Sequence, residues 1–189
     1  MGIRSESGVE GKREYEARNR AHLQGCQQRA ALFASLHPPA DDIFFAIDVN
    51  DDGKGRTIKR KLRNFSPFVQ KSFPDKIALQ EMPYIFPEDA EEGRCKTLGF
   101  TWRCKTSDVK SAPMGKAVCD QDLGVKPGIS NRVYFINIGK GTIFHICDDR
   151  GCDLSAASPE TISGVDKRYN GRIFDDDRPE IEKRFIGYL

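Results

Sequence analysis

Between Val133 and Ser158 the chain reads VYFINIGKGTIFHICDDRGCDLSAAS, a run of consecutive β-strands joined by very tight turns. The alternation places Val133, Phe135 and Ile138 near one face and Tyr134, Ile136 and Asn137 near the other. Gly139-Lys140-Gly141 offers the positive-φ residues that a short hairpin needs. Thr142 to Ile146 then returns with β-branched and aromatic residues suited to a pleated, half-buried surface. An acidic-basic cluster, Asp148-Asp149-Arg150-Gly151, marks the next corner. This segment fixes the fold class without disclosing a reaction.

The rest of the chain supplies the elements that cover such a sheet. From Glu10 to about Leu36 a helical pattern recurs, with Tyr15, Leu23, Cys26, Ala30 and Phe33 on one side, until His37-Pro38-Pro39 stops it. Asp42 to Val49 is a buried-strand candidate. Asn50 to Gly53 is a turn, and Arg56 to Leu62 a basic return strand. Phe65 to Phe73 suits a short helix. Ile77 to Ile85 is extended, with Pro83 demoting it to an edge or a bend. Thr97 to Lys105 alternates as a strand, Asp108 to Asp120 turns helical in its second half, and Leu123 to Asn131 is a loop. Ser158-Pro159-Glu160 reads as a helix start, and Asp177 to Glu180 resembles a capping box for a last helix. Strands in adjacent runs outnumber helices. The expectation is a single α+β domain over residues 10–189, an antiparallel or mixed central sheet with flanking helices. Residues 1–9 form a flexible segment or a short first strand.

With 189 residues, one domain with a real core is expected rather than two. Thirty Lys and Arg against 28 acids leave a net charge of +2, which argues against a dedicated nucleic-acid binder. No apolar run reaches the ~20 residues of a membrane helix, and the first thirty residues lack the apolar centre of a signal peptide. The six cysteines contain no C-x-x-C pair, so a zinc ribbon is not expected. A cytoplasmic protein with reduced thiols follows.

Several constellations invite a chemical reading. Asp48 to Gly53 matches the first half of an EF-hand loop, but Lys59 stands where the bidentate carboxylate belongs, so a plain hairpin turn is expected. Lys54, Arg56, Lys59 and Arg60 form a basic strip that suits an acidic protein surface or a solvated edge. Glu88, Asp89, Glu91 and Glu92 form an acidic loop. Asp148, Asp149, Arg150 and Asp153 crowd one hairpin corner. Acids so placed suit a metal-dependent hydrolase, yet an Asp-Arg pair at a tight turn reads first as a clamp on loop backbone groups. The three histidines are dispersed, and no Ser-His-Asp or Cys-His order emerges from them. No catalytic motif, metal set or cofactor is expected.

The stretch VCDQDLGVKPGISNRVYFINIGKGTIFHICDDRGCDLSAASPETI, followed by Tyr169-Asn170 and the Asp175 to Arg178 helix start, resembles the signature region of the bacterial domain of unknown function 3885 family. Asp42-Ile43-Phe44-Phe45 is similar to that family's acidic-then-apolar strand, and Gly2-Ile3-Arg4 to its early strand. On that match a leading segment usual in the family is expected to be missing. Cys147 stands where an aromatic is usual. The family carries no catalytic residues to transfer. Its members resemble, in size and gene neighbourhood, the small immunity proteins of polymorphic toxin systems. The resemblance therefore implies a binding protein that occludes a cognate toxin domain, with the charged sets above as candidate contact residues. The alternative is a metal-dependent hydrolase or nuclease built on Asp148, Asp149 and Asp153.

Overall fold

The computed structural model of the chain describes residues 6–51, 62–70, 77–84, 95–148 and 150–185. A long helix, α1 (Glu6–Leu36), leads into three strands, β1 (Asp42–Asp51), β2 (Ala78–Met82) and β3 (Lys96–Lys105). Helix α2 (Ser111–Asp122) precedes the run β4 (Arg132–Asn137), β5 (Thr142–Ile146) and β6 (Cys152–Ala156). Helices α3 (Pro159–Tyr169) and α4 (Arg178–Phe185) follow. The six strands make one antiparallel sheet in the order β2-β3-β1-β4-β5-β6. This is the α+β architecture that the sequence implies.

Strict alternation in β1 buries Ile43, Phe45, Ile47 and Val49 on one face. Phe45 lies opposite Trp102 of β3 and Phe135 of β4, and Phe135 lies opposite Phe144 of β5. Helix α1 docks on this inner face through Phe33, whose ring centroid is 4.5 Å from Phe135 and 5.4 Å from Phe144. Each of these buried rings contributes about 1.5–3 kcal/mol from area alone. Met114, Ala117 and Val118 of α2 belong to the same core, and Ile162 and Val165 of α3 pack against it. All three helices therefore cover one side of the sheet.

The structure moves several expected boundaries. Helix α1 begins at Glu6, four residues before the expected start, and of the apolar stripe read in the sequence Cys26 and Phe33 face inward while Tyr15 and Leu23 do not. Tyr15 is 67% exposed and Leu23 46% exposed. The buried line runs through His22, Cys26, Arg29, Phe33 and Leu36, because two polar residues on that line have partners in α2. Strand β4 ends at Asn137, which faces inward, while Ile138 is exposed in the turn. The Asn137 side chain donates to Asp41 Oδ2 (2.8 Å) and accepts from the Lys140 backbone N–H (3.0 Å), so it forms the turn itself. Of the two turn glycines, Gly141 has positive φ (64°). A Cβ there would sit 2.9 Å from that of Ala157.

The expected helix over Phe65 to Phe73 is a short 3-10 turn, Ser66–Phe68. Strand β2 lies at the sheet edge, as Pro83 requires. Ser158 does precede α3 with Pro159 in its first turn, but its hydroxyl pairs with that of Thr161 (3.2 Å) rather than with backbone. The expected Gly2 to Arg4 strand lies outside the described residues. So does the basic return strand, save for Leu62, which is helical. Among the described residues no helix is long and apolar enough to cross a membrane.

Candidate functional site: the outer face of the sheet

The residues that alternate with the core point to the other side of the sheet. Phe44, Ala46 and Asp48 of β1 share that face with Arg132, Tyr134 and Ile136 of β4. The register continues the row across the sheet, with Tyr134 opposite His145 and His145 opposite Asp153. Their side chains meet. The Tyr134 and His145 rings stack at 4.5 Å with planes 20° apart. His145 Nδ1 lies 3.5 Å from Asp153 Oδ2 and 3.6 Å from the Cys147 Sγ. The donor atoms of His145, Cys147 and Asp153 all fall within 4.8 Å of one another. His145 Nε2 is buried without a hydrogen-bond partner. Stacking on Tyr134 therefore sets the ring plane.

Electrostatics along this row favour neutral forms. Burial pushes the Asp48 carboxyl up, against the opposing pull of a Tyr134 hydrogen bond, Arg132 and His145. Burial also raises the Tyr134 phenol, with the Asp48 charge adding to it. The Cys147 thiol is pushed up to about 12 by partial burial and by its hydrogen bond to Asp153. Cys104 and Cys119 are likewise pushed to about 12, and Cys152 to about 11, chiefly by burial. None of these four is a thiolate nucleophile at neutral pH.

The acidic corner separates into two parts. Asp148 Oδ1 accepts from the backbone N–H groups of Arg150 (2.7 Å) and Gly151 (3.2 Å). Its Oδ2 accepts from Arg150 Nε (2.9 Å) and Nη2 (2.6 Å). The guanidinium holds this carboxyl below its usual range. Both oxygens are occupied by the turn, so Asp148 and Arg150 form a clamp. Asp153 faces away from that clamp, toward His145 and Cys147. Asp149 lies outside the described residues, as do Lys54, Arg56, Lys59, Arg60, Glu88, Asp89, Glu91 and Glu92. From sequence, His145 stands near the acidic corner and Asp48 in the EF-hand-like run, but neither they nor Arg132, Tyr134 and Cys147 are expected as members of one site. The available signal was hairpin symmetry, which pairs His145 with Asp153 across β5 and β6.

A second cluster lies between α1 and α2. His22 Nε2 is 3.0 Å from Asp120 Oδ1, and Lys116 Nζ lies 2.8 Å from Oδ1 and 2.5 Å from Oδ2. Arg29 Nη2 donates to the Cys119 Sγ (3.0 Å) and, at 3.8 Å, to that of Cys26. The Cys119 thiol in turn donates to the Asp148 carbonyl (3.4 Å). Asp120 is only 2% exposed. This cluster joins both helices to the β5–β6 turn and is a structural brace. The outer row, by contrast, is exposed at the Asp153 end, where the side chain is 73% accessible.

The profile of the family described as Domain of unknown function (DUF3885) matches residues 1–177. The chain belongs to this family. The DUF3885 span takes in all six strands, the inner brace and the whole outer row, and ends just before α4. The chain is also similar to the Uncharacterized protein YnaE of Bacillus subtilis (strain 168), with 30% identity over 152 residues. That alignment covers 76% of this chain and 70% of YnaE. No solved structure matches.

Proposed function

We propose that this DUF3885 protein is an immunity-type binding protein that acts in the cytoplasm and neutralises a cognate toxin domain by covering its active site. The observation that carries the reading is the outer sheet face. It is opposite the helix-packed side and mixes apolar residues (Phe44, Ile136, Ile143) with both signs of charge (Asp48, Arg103, Arg132, Asp153). Such a surface supplies anchors and electrostatic complementarity. The high pKa values of the four described thiols above fit a binder rather than a cysteine enzyme. The alternative hydrolase built on Asp148, Asp149 and Asp153 is weakened by the engagement of both Asp148 oxygens in the turn.

Occlusion of a catalytic toxin calls for affinity of about nanomolar or better, roughly −12 kcal/mol. The test begins with whether the adjacent upstream gene encodes a large secreted protein with a variable C-terminal domain, and proceeds by co-expression of this chain with that domain. Rescue of growth and a one-to-one complex on gel filtration are expected. Arg103→Glu with Arg132→Glu on the outer face is expected to slow association at least about tenfold and to change its salt dependence. A neighbour domain that is harmless, or a complex indifferent to this double reversal, overturns the reading.

A further inference from the structure

We infer that His145, Cys147 and Asp153 form a zinc-binding site on the outer sheet face, with one coordination position open to solvent. The inference rests on donor geometry alone and is independent of the toxin-binding reading. Register places the three side chains together. His145 and Asp153 are direct partners across β5 and β6, and Cys147 follows His145 by two residues, so it shares that face. The Cys147 backbone N–H still donates to the Gly151 carbonyl (3.2 Å), which extends the hairpin by one step beyond Ile146. The Asp148–Arg150 clamp fixes the turn that separates Cys147 from Asp153.

The two separations from His145 Nδ1 match those around a shared central ion. Bonds of about 2.05 Å to nitrogen or oxygen and about 2.3 Å to sulfur, at the tetrahedral angle, separate N from S by about 3.6 Å and N from O by about 3.4 Å. The structure has 3.6 Å from His145 Nδ1 to Cys147 Sγ and 3.5 Å to Asp153 Oδ2. The second distance is longer than an N–H···O hydrogen bond, which spans roughly 2.7–3.2 Å. A zinc ion between the three would take the place of the Cys147–Asp153 hydrogen bond and draw all three side chains into one coordination shell. Imidazole, thiolate and carboxylate together select zinc over the hard cations magnesium and calcium, which take oxygen ligands. Stacking on Tyr134 sets the imidazole plane, a role that outer hydrogen bonds usually fill. Three protein ligands leave the fourth position for water or for a side chain of a bound protein, as in open rather than closed zinc sites.

Cys147 and Cys152 do not compete for this arrangement as a disulfide pair. Cys152 lies opposite Ile146 and so faces the core side, and both are free thiols.

The experiment uses the full chain without an affinity tag, reduced, stripped of metal and then titrated with zinc and with cobalt(II). One zinc per chain is expected. Cobalt(II) is expected to give the intense visible bands of a tetrahedral centre, together with a thiolate-to-cobalt charge-transfer band. Cys147→Ser is expected to abolish that charge-transfer band. Asp153→Asn, at an exposed position, is expected to weaken zinc binding at least about tenfold while leaving the circular dichroism spectrum unchanged. His22→Gln, which alters the inner brace, is expected to leave the cobalt spectrum as it was. The inference is overturned if the stripped chain takes up no zinc. It is equally overturned if the cobalt spectrum survives Cys147→Ser, since another cysteine would then be the ligand.

Discussion

Between α1 and α2, His22, Cys26 and Asp120 lie beside Arg29 and Lys116; on the far side of the sheet, His145, Cys147 and Asp153 lie beside Tyr134. The residue types are the same, but the surroundings decide different roles. The inner acid is 2% exposed and has a lysine on both oxygens, so its charge is met within the protein. The outer trio makes its contacts with one another and with the Tyr134 ring, and its acid is largely in water. A cluster with its own cations works as a fastening. A cluster that brings three donor atoms within 4.8 Å of one another is arranged for a cation that arrives from outside.

This contrast is open to direct attack. Asp120→Ala is expected to cost about 1–3 kcal/mol in urea unfolding, because it leaves the buried His22 Nε2 without its partner. Asp153→Asn is expected to stay within about 0.5 kcal/mol. Equal costs at the two positions would erase the distinction.

His37 extends the comparison to pH. Its ring packs against Phe33, both nitrogens lack partners, and burial with Lys140 nearby lowers its pKa to about 4. The unfolded chain thus binds this proton more readily, near the ordinary value of 6.5. Stability is therefore expected to fall as pH drops from about 6.5 to about 4, by roughly 2–3 kcal/mol from this residue. His37→Phe is expected to flatten that part of the profile; an unchanged slope would show that the proton is taken up elsewhere.

The turn clamp gives a smaller effect with a different window. Asp148→Ala is expected to cost about 1–2 kcal/mol at neutral pH, since it strands two backbone donors. Arg150→Ala, at an 82% exposed side chain, is expected to cost no more than about 0.5 kcal/mol. The Asp148 carboxyl is held low in the folded state, so its contribution is present above its ordinary pKa of 3.8 and disappears as pH falls below that value. A difference between wild type and Asp148→Asn that persists at the acid end would contradict the clamp.

The smallest effect is kinetic. Asp153→Asn removes the carboxylate that helps to hold the Cys147 thiol up. Alkylation of Cys147 by iodoacetamide at about pH 8.5 is expected to speed up severalfold. An unchanged rate would mean that burial alone governs this thiol.

Alternation made β1, β3 and β5 legible, because each buries every second side chain and the sequence shows that period directly. Prolines marked the end of α1, the edge position of β2 and the start of α3 for equally local reasons. The inner side of α1 was half legible: Cys26 and Phe33 stood in the apolar stripe, but hydrophobicity cannot signal that His22 and Arg29 point inward until Asp120 and Cys119 are known to face them. The outer site was half legible. Asp153 stood out as an acid, and the Asp148–Arg150 clamp followed from turn chemistry. His145 and Cys147 become its neighbours only when the turn length fixes the β5–β6 register, and a one-residue slip would send them to the opposite face.

The place of β1 in the middle of the sheet has a consequence for synthesis. Its partners are β3 and β4, and β4 is complete only at Asn137, 86 residues after Asp51. At roughly 5–20 residues per second, the strand carrying Ile43, Phe45, Ile47 and Val49 waits roughly 4–17 seconds for its second neighbour. The segment β4-β5-β6, by contrast, closes with contacts between adjacent hairpins as soon as it emerges. The nascent chain therefore carries β1 first and completes its pairing only after β4 has emerged. During that interval a chaperone, or another copy of the strand, has time to reach it.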